Sequence, residues 1–145
     1  MVLLTTRALA ATDLAALKAP SLEQIEALAL AAFAALPAEF RALCEGVVVR
    51  VEEFPDEATL DELGAESEFD LLGLFRGRGL AHAPATPETG VHPNMVWLYR
   101  RPLLDYWAEH DETLGDLVTH VLVHEIGHHF GLSDEDMERI EDAAG

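Results

Sequence analysis

Apolar side chains recur at helical spacing in two long segments of the chain. The first spans residues 22–36, follows the capping-box pair Ser21 and Gln24, and stops before Pro37. The second spans residues 114–130, follows the capping pair Thr113 and Asp116, and ends at a glycine, which is a common residue just after a helix. We therefore predict two long helices, one near each end of the chain.

Three shorter segments between those helices favour β-strands. Each is rich in apolar or β-branched residues and is bounded by glycine, proline or charged residues. Met95, Trp97 and Tyr99 alternate along the third segment, which predicts that these side chains share the face turned towards the core. The three predicted strands are VVVRVEEF at 47–54, DLLGLFRG at 70–77 and NMVWLYR at 94–100.

The remaining segments predict shorter helices and loops. Ser133 and Asp136 form a second capping box, which starts the last helix of the chain. Because helices precede and follow the strands, the predicted fold class is α+β. The segments are a helix over 37–44, a short helix or loop over 56–70, a proline-rich loop over 78–93, and helices over 102–110 and 133–144.

The composition fits one soluble globular domain. The chain has 145 residues, of which 50% are hydrophobic. Its longest apolar run, residues 27–36, is about half as long as a membrane span requires. We expect a single domain over residues 21–145, preceded by an N-terminal arm over residues 1–20.

The charge balance narrows the choice of partners. The net charge of −18 disfavours binding to nucleic acid and to anionic membranes, because both are negatively charged. Cys44 is the single cysteine, so no disulfide can form within the chain, and we expect it to be a small core residue. The N-terminal segment lacks the pattern of a signal peptide, and these features together predict a cytoplasmic protein.

The second long helix ends with the sequence HEIGHH, in which His124 and His128 are four residues apart. Both imidazoles project from one face, about 40° apart around the helix axis, and can therefore contact a single cation. Glu125 lies about 60° from His128, close enough to touch a metal-bound water without binding the metal. This spacing predicts a zinc site with Glu125 as the general base.

A catalytic zinc ion usually has three protein ligands and keeps a fourth position for water. Gly131 can adopt the left-handed conformation that turns the chain sharply after the helix. Asp134, three residues further on, is the first carboxylate positioned to return to the metal, and it completes a HExxHxxGxxD pattern. We therefore predict His124, His128 and Asp134 as the ligands of one zinc ion per chain.

This pattern resembles that of the zincins, in a metzincin-like arrangement whose third histidine is replaced by aspartate. Over about residues 21–144 the chain is similar to small bacterial zincin-like metallopeptidases, on the strings HEIGHHFGLSDEDM, DLLGLFRG and LYRRP. The resemblance implies a small β-sheet behind the active-site helix, a bound zinc ion and peptidase chemistry. It also implies that His124, His128 and Asp134 are the ligands and that Glu125 is the base.

The expected reaction is hydrolysis of a peptide or protein substrate. Zinc lowers the pKa of a bound water, Glu125 removes its proton, and the resulting hydroxide attacks the scissile carbonyl. Because no insertion is long enough to build a deep cleft, we expect a shallow substrate groove along an edge strand at 94–99. Met137, one turn after Asp134, is the candidate for a residue that supports the metal from beneath.

Two other functions stay open from the sequence. In one, the protein is a non-catalytic interaction module. Zinc holds its C-terminal helix in place through Asp134, and its acidic surface binds a basic partner. In the other, two histidines and a carboxylate hold Fe²⁺ as a facial triad.

Other polar residues are expected to lie outside the ligand set. His120 is expected on the helix surface or beside a ligand, and His129 packed beside the site. His82 and His92 are expected to be ordinary loop residues, and Arg100 and Arg101 to balance the acidic surface. The acidic residues of the last helix are expected to form a solvated face, and they are Glu135, Asp136, Glu138, Glu141 and Asp142.

Overall fold

A computed structural model describes residues 10–77 and 93–144 of the chain. The predicted loop over 78–93, with His82 and His92, lies almost wholly outside the described residues, as do the first nine residues of the predicted N-terminal arm. The described elements are α1 (Ala11–Ala16), α2 (Leu22–Ala34), α3 (Ala38–Leu43), β1 (Val48–Glu52), α4 (Glu57–Leu63), β2 (Gly73–Arg76), β3 (Met95–Tyr99), α5 (Arg100–Glu109), α6 (Leu114–His129) and α7 (Asp134–Ala144). The fold class is α+β, as predicted.

The predicted helix starts are confirmed by their capping hydrogen bonds. At α2, the Ser21 hydroxyl accepts the backbone N–H of Gln24 at 3.1 Å, and the Gln24 side chain accepts the N–H of Ser21 at 2.9 Å. At α6, the hydroxyl of Thr113 accepts the N–H of Asp116 at 3.1 Å. These bonds satisfy backbone donors that have no partner within the helix, so the sequence determines where both helices begin.

The three strands form a mixed sheet in the order β1-β3-β2. The central strand β3 runs parallel to β1 and antiparallel to β2. The prediction of a substrate groove along an edge strand at 94–99 is therefore wrong, because both edges of that strand are paired. Strand order depends on how the chain crosses over between elements, and the local pattern of β3 carries no information about it.

The face of β3 that enters the core is also not the predicted one. Val96 and Leu98 are fully buried in the core, whereas Met95 and Trp97 are only partly buried on the other face. Tyr99 is buried, at 3% exposed. Every residue of β3 is apolar, so alternation alone could not decide which set faces the helices.

Helices α2 and α6 pack against each other and against the sheet, which places α6 in the centre of the fold. The core cluster includes Ile25 and Ala29 from α2 and Leu117, Leu122 and Ile126 from α6, all almost completely buried. Cys44 belongs to this cluster as predicted, and burial raises the pKa of its thiol to about 11. The core therefore holds the long helix firmly on one side.

The segment before α2 is attached through one residue at the end of the sheet. The Arg100 guanidinium donates from Nε to the carbonyl of Pro20 at 2.5 Å and from Nη1 to Glu53 at 2.9 Å. Before Pro20, residues 10–19 are exposed and include the short helix α1, which the sequence pattern did not predict. Within the described residues, no helix has both the length and the apolar character needed to cross a bilayer.

Candidate metal centre

A row of three histidines runs along one face of α6. His120, His124 and His128 are each four residues apart, so successive imidazoles lie one turn further along the helix. The ring centroids of the first two are 4.0 Å apart, and those of the second and third are 5.7 Å apart. The row therefore presents ring nitrogens close enough together for pairs of them to share a cation.

Helix α7 turns back along this row. Gly131 has φ +75°, the left-handed conformation that was predicted for the turn. The Ser133 hydroxyl then accepts the N–H of Asp136 at 3.1 Å, and α7 begins at Asp134. The sharp turn and the immediate restart of the helix bring the first residue of α7 back towards the last turn of α6.

The structure brings the three predicted ligands together. His124, His128 and Asp134 each offer a ligand atom, and these atoms all lie within 4.8 Å of one another. His124 is partly buried, whereas His128 and Asp134 are exposed to solvent. Two imidazoles and one carboxylate are a common donor set for a catalytic zinc ion, so this group has suitable chemistry to hold one.

The close approach of α7 to α6 depends on a buried contact between Met137 and Gly127. A Cβ atom at Gly127 would lie 2.5 Å from the Sδ of Met137 and 2.9 Å from its Cγ, and Met137 is completely buried. Met137 therefore packs directly against the backbone of the HEIGH segment. This contact explains why glycine stands at residue 127, whereas support of a metal by Met137 stays a prediction.

Glu125 lies on the sheet side of α6, beside strand β2. Its carboxylate lies near the backbone N–H of Phe75. A Cβ atom at Gly73 would lie 3.5 Å from the Glu125 Cγ and 2.7 Å from Val121, so β2 and α6 approach closely here. Burial raises the pKa of Glu125, while His128 and the nearby backbone N–H of Phe75 act in the opposite direction.

The environment of His124 favours its neutral form. Burial lowers the pKa of His124, and the imidazoles of His120 and His128 act in the same direction. The carboxylates of Glu141 and Asp134 oppose this shift without reversing it. A neutral imidazole is the form that binds a metal ion, so a lowered pKa extends metal binding to lower pH.

Sequence reasoning missed one residue near the histidine row. Glu141 was predicted to belong to a solvated face, but its side chain is 22% exposed and contacts both His120 and His124. The available signal was its spacing, because Asp134 and Glu141 are seven residues apart and so lie on one face of α7. Met137 belongs to the same face, which is the face turned towards α6.

The other predicted polar residues have structural partners. The ring of His129 lies 4.1 Å from that of Phe75, as expected for a packed histidine. Arg100 has the hydrogen bonds described above, and the guanidinium of Arg101 lies 5.5 Å from the centre of the Phe54 ring. These contacts favour structural roles for both arginines over binding of a substrate carboxylate.

Comparison with known families gives a match to a metallopeptidase family. A family model described as zincin-like metallopeptidase matches residues 44–144, a range that contains the whole sheet, α6 and α7. The match begins after α2 and α3, so it is shorter than the resemblance expected over about residues 21–144. A search among curated proteins finds no match for the chain.

Proposed function

The chain belongs to the zincin-like metallopeptidase family, and from this premise we propose that it is a zinc-dependent peptidase. In this proposal His124, His128 and Asp134 hold one zinc ion. Glu125 serves as the general base. The observation that carries the proposal is the position of Glu125, one residue from a three-ligand group and partly buried beside the neighbouring strand.

The donor set fits the metal that the family implies. Bound zinc supplies a water of lowered pKa and polarises the scissile carbonyl. The lowered pKa of His124 keeps that imidazole available as a ligand near neutral pH. The neighbouring carboxylate of Asp134 contributes the negative charge of the group, so the three residues carry one formal charge between them.

Glu125 is suited to moving a proton in both directions. A carboxylate beside a metal-bound water can take up its proton and later release it to the leaving amine, and Glu125 stands beside the ligand group. Partial burial beside Gly73 and Phe75 keeps its side chain against β2. The chain thereby holds the base in one place without using it as a metal ligand.

The free edge of β2 offers a place for an extended substrate. The N–H of Tyr99 donates to the carbonyl of Leu72 at 3.0 Å, so the backbone groups of Gly73 and Phe75 point away from β3. Among the described strands, none pairs with this edge. A peptide that added a strand here would lie beside Glu125, and peptide recognition by strand addition is a common binding mode.

The first experiment measures the metal content and activity of protein purified without chelators. We expect about one zinc ion per chain, and none in a variant with His124 and His128 both changed to alanine. In Glu125→Gln, zinc content stays the same and cleavage of a peptide library falls by about 10²–10⁴-fold. Glu138→Gln, an exposed glutamate on α7, is the matched control and keeps full activity.

Two other outcomes would replace this proposal. If zinc is bound but no peptide is cleaved, the favoured function becomes a non-catalytic module in which zinc joins α7 to α6. If elemental analysis finds iron in place of zinc, the facial-triad alternative is favoured. Unchanged activity in Glu125→Gln would also contradict the proposed mechanism.

The proposed location is the cytoplasm, and the proposed partner is a peptide or protein substrate. Cys44, the single cysteine, is buried, so the chain does not use an intramolecular disulfide for stability. The net charge of −18 favours substrates with basic residues over acidic ones. Comparing the cleavage rates of matched basic and acidic peptides at low and high salt tests this preference.

A further inference from the structure

A second group of possible metal ligands lies one turn further back along α6. His120 Nδ1 is 2.8 Å from one carboxylate oxygen of Glu141, and His124 Nε2 is 3.3 Å from the other. The ligand atoms of His120, His124 and Glu141 all lie within 4.8 Å of one another. This group therefore repeats the donor set of the proposed catalytic site, with two imidazoles and one carboxylate.

The geometry of the helix pair explains the repetition. His120 and His128 are eight residues apart on α6, which is about 12 Å along the helix, and Asp134 and Glu141 are about 10.5 Å apart on α7. Because α7 runs back along α6, Asp134 lies near His128 and Glu141 lies near His120. His124 lies between the two carboxylates and belongs to both groups.

The contacts of Glu141 differ from those of an ordinary surface ion pair. Each oxygen of its carboxylate faces a different imidazole, and its side chain is only 22% exposed. Neighbouring acidic residues of α7, such as Glu138 and Asp142, are exposed. The buried contact of Met137 with Gly127 fixes α7 at this position along α6.

We propose that His120, His124 and Glu141 form a second position for a zinc ion, which is an alternative to the proposed catalytic position. The Nε2 of His124 faces Glu141, and a ring nitrogen binds one cation at a time. In this proposal His124 offers the same Nε2 to either ion, so an ion held by Glu141 and His120 withdraws His124 from His128 and Asp134. The chain then has two overlapping positions for one zinc ion. An ion at the second position is held in reserve and does not support hydrolysis.

The test removes each position separately in the full chain. Metal-free protein is titrated with Zn²⁺ against a chromophoric chelator, and bound zinc is counted by elemental analysis. We expect one zinc ion in the wild-type chain, in His120→Ala and in His128→Ala. Two double variants should lose both positions: His120→Ala/His128→Ala and Glu141→Gln/His128→Ala. We expect their affinity for zinc to fall by more than roughly 100-fold, which is the largest loss that removal of a residue supporting a metal ligand usually causes.

The variants are chosen so that loss of folding cannot explain the result. His120 and His128 are exposed, so alanine at either position removes no core packing, and far-UV circular dichroism verifies the helix content. His110→Ala is the matched control, because that exposed histidine stacks on Tyr106 of α5 and belongs to neither group of candidate ligands. We expect it to bind zinc like the wild-type chain.

The possible failures are distinct from those of the proposed function. Loss of zinc from His128→Ala, with zinc retained in His120→Ala, overturns the second position and leaves the catalytic ligand set intact. The reverse pattern supports the second position and overturns the catalytic ligand set. Loss of zinc from both single variants means that all these side chains bind one ion together, which overturns the existence of two separate positions.

Discussion

The two sides of helix α6 differ in almost every physical property. The side that faces α2 and the sheet is apolar and almost completely buried. The side that faces α7 carries three histidines that are exposed or partly exposed, next to the carboxylates of α7. The buried apolar side chains of α6 are those of Leu117, Val118, Val121, Leu122, Val123 and Ile126.

This difference separates the sources of stability and of chemistry within one helix. Burial of apolar side chains is the main favourable contribution to folding, whereas exposed ion pairs contribute little. The histidine row is therefore positioned by a core to which it contributes little itself. Glu125 lies at the border between the two sides, partly buried against β2 and near His128.

The largest expected effect is on the buried side. Leu122→Ala leaves a cavity beneath a completely buried side chain, and we expect the free energy of unfolding to fall by about 2–5 kcal/mol. His128→Ala, on the exposed side of the metal-free protein, changes it by less than about 0.5 kcal/mol. Urea denaturation of both variants measures the difference, and equal losses would contradict the separation of the two sides.

Zinc should couple the exposed side to folding. When free zinc is about 100 times its dissociation constant, binding to the folded chain raises the free energy of unfolding by about 2.7 kcal/mol. His124→Ala removes the residue shared by both proposed positions, so zinc should then give no such increase. Thermal unfolding with and without zinc measures this effect, and an equal increase in His124→Ala would place the ion elsewhere.

Features that depend on a few neighbouring residues were predicted correctly from the sequence. The capping pairs at Ser21 and Thr113 and the turn at Gly131 each involve hydrogen bonds or backbone angles within about four residues. The proximity of His124 and His128 likewise follows from helix geometry alone. Asp134 needed only one short turn more, so its position near them was also predictable.

Features that depend on distant parts of the chain were not predictable in the same way. The central place of β3 arises because it pairs with β1 on one side and β2 on the other, which its own apolar sequence does not reveal. The contact of Glu141 with His120 requires knowledge of how α7 lies along α6. Most acidic residues of α7 are exposed, so the sequence offered no reason to single out Glu141, whose carboxylate contacts α6.

A smaller effect is expected where the two helices touch. Gly127→Ala forces Met137 to move, a cost of about 1–3 kcal/mol for overpacking, partly offset by the gain of about 1 kcal/mol from replacing glycine in a helix. We expect a net loss of up to about 2 kcal/mol. A weaker affinity for zinc should accompany it, because α7 carries Asp134 and Glu141.

Gly115→Ala is the matched control for this substitution on the same helix. A Cβ atom at Gly115 would lie 3.9 Å from its nearest neighbour, in the side chain of Leu28, so there is room for it. We expect the stability of this variant to equal or slightly exceed that of the wild-type chain, with unchanged zinc affinity. Similar losses in both variants would show that close packing of Met137 is not what requires glycine at residue 127.

The smallest effect on the free energy of unfolding appears only in alkaline solution. It reports whether water reaches Tyr99 at the end of β3. Burial raises the pKa of Tyr99 to about 12 from 10.0, and the nearby carboxylates of Glu52 and Asp56 act in the same direction. Between these pH values the unfolded chain loses the Tyr99 proton before the folded chain does. The stability that Tyr99 contributes below pH 10 is therefore lost as the pH rises towards 12.

Tyr99→Phe removes this ionisation, so its free energy of unfolding should fall less steeply than that of the wild-type chain between pH 10 and 12. Cys44, whose pKa is also raised by burial, is present in both proteins, so its effect cancels in the comparison. Absorbance near 295 nm follows ionisation directly, because the chain has two tyrosines and the variant retains only Tyr106. Ionisation of Tyr99 at its ordinary pKa while the chain remains folded would mean that water reaches this part of the sheet. The two sides of α6 would then differ less in their exposure to water than the burial of their side chains indicates.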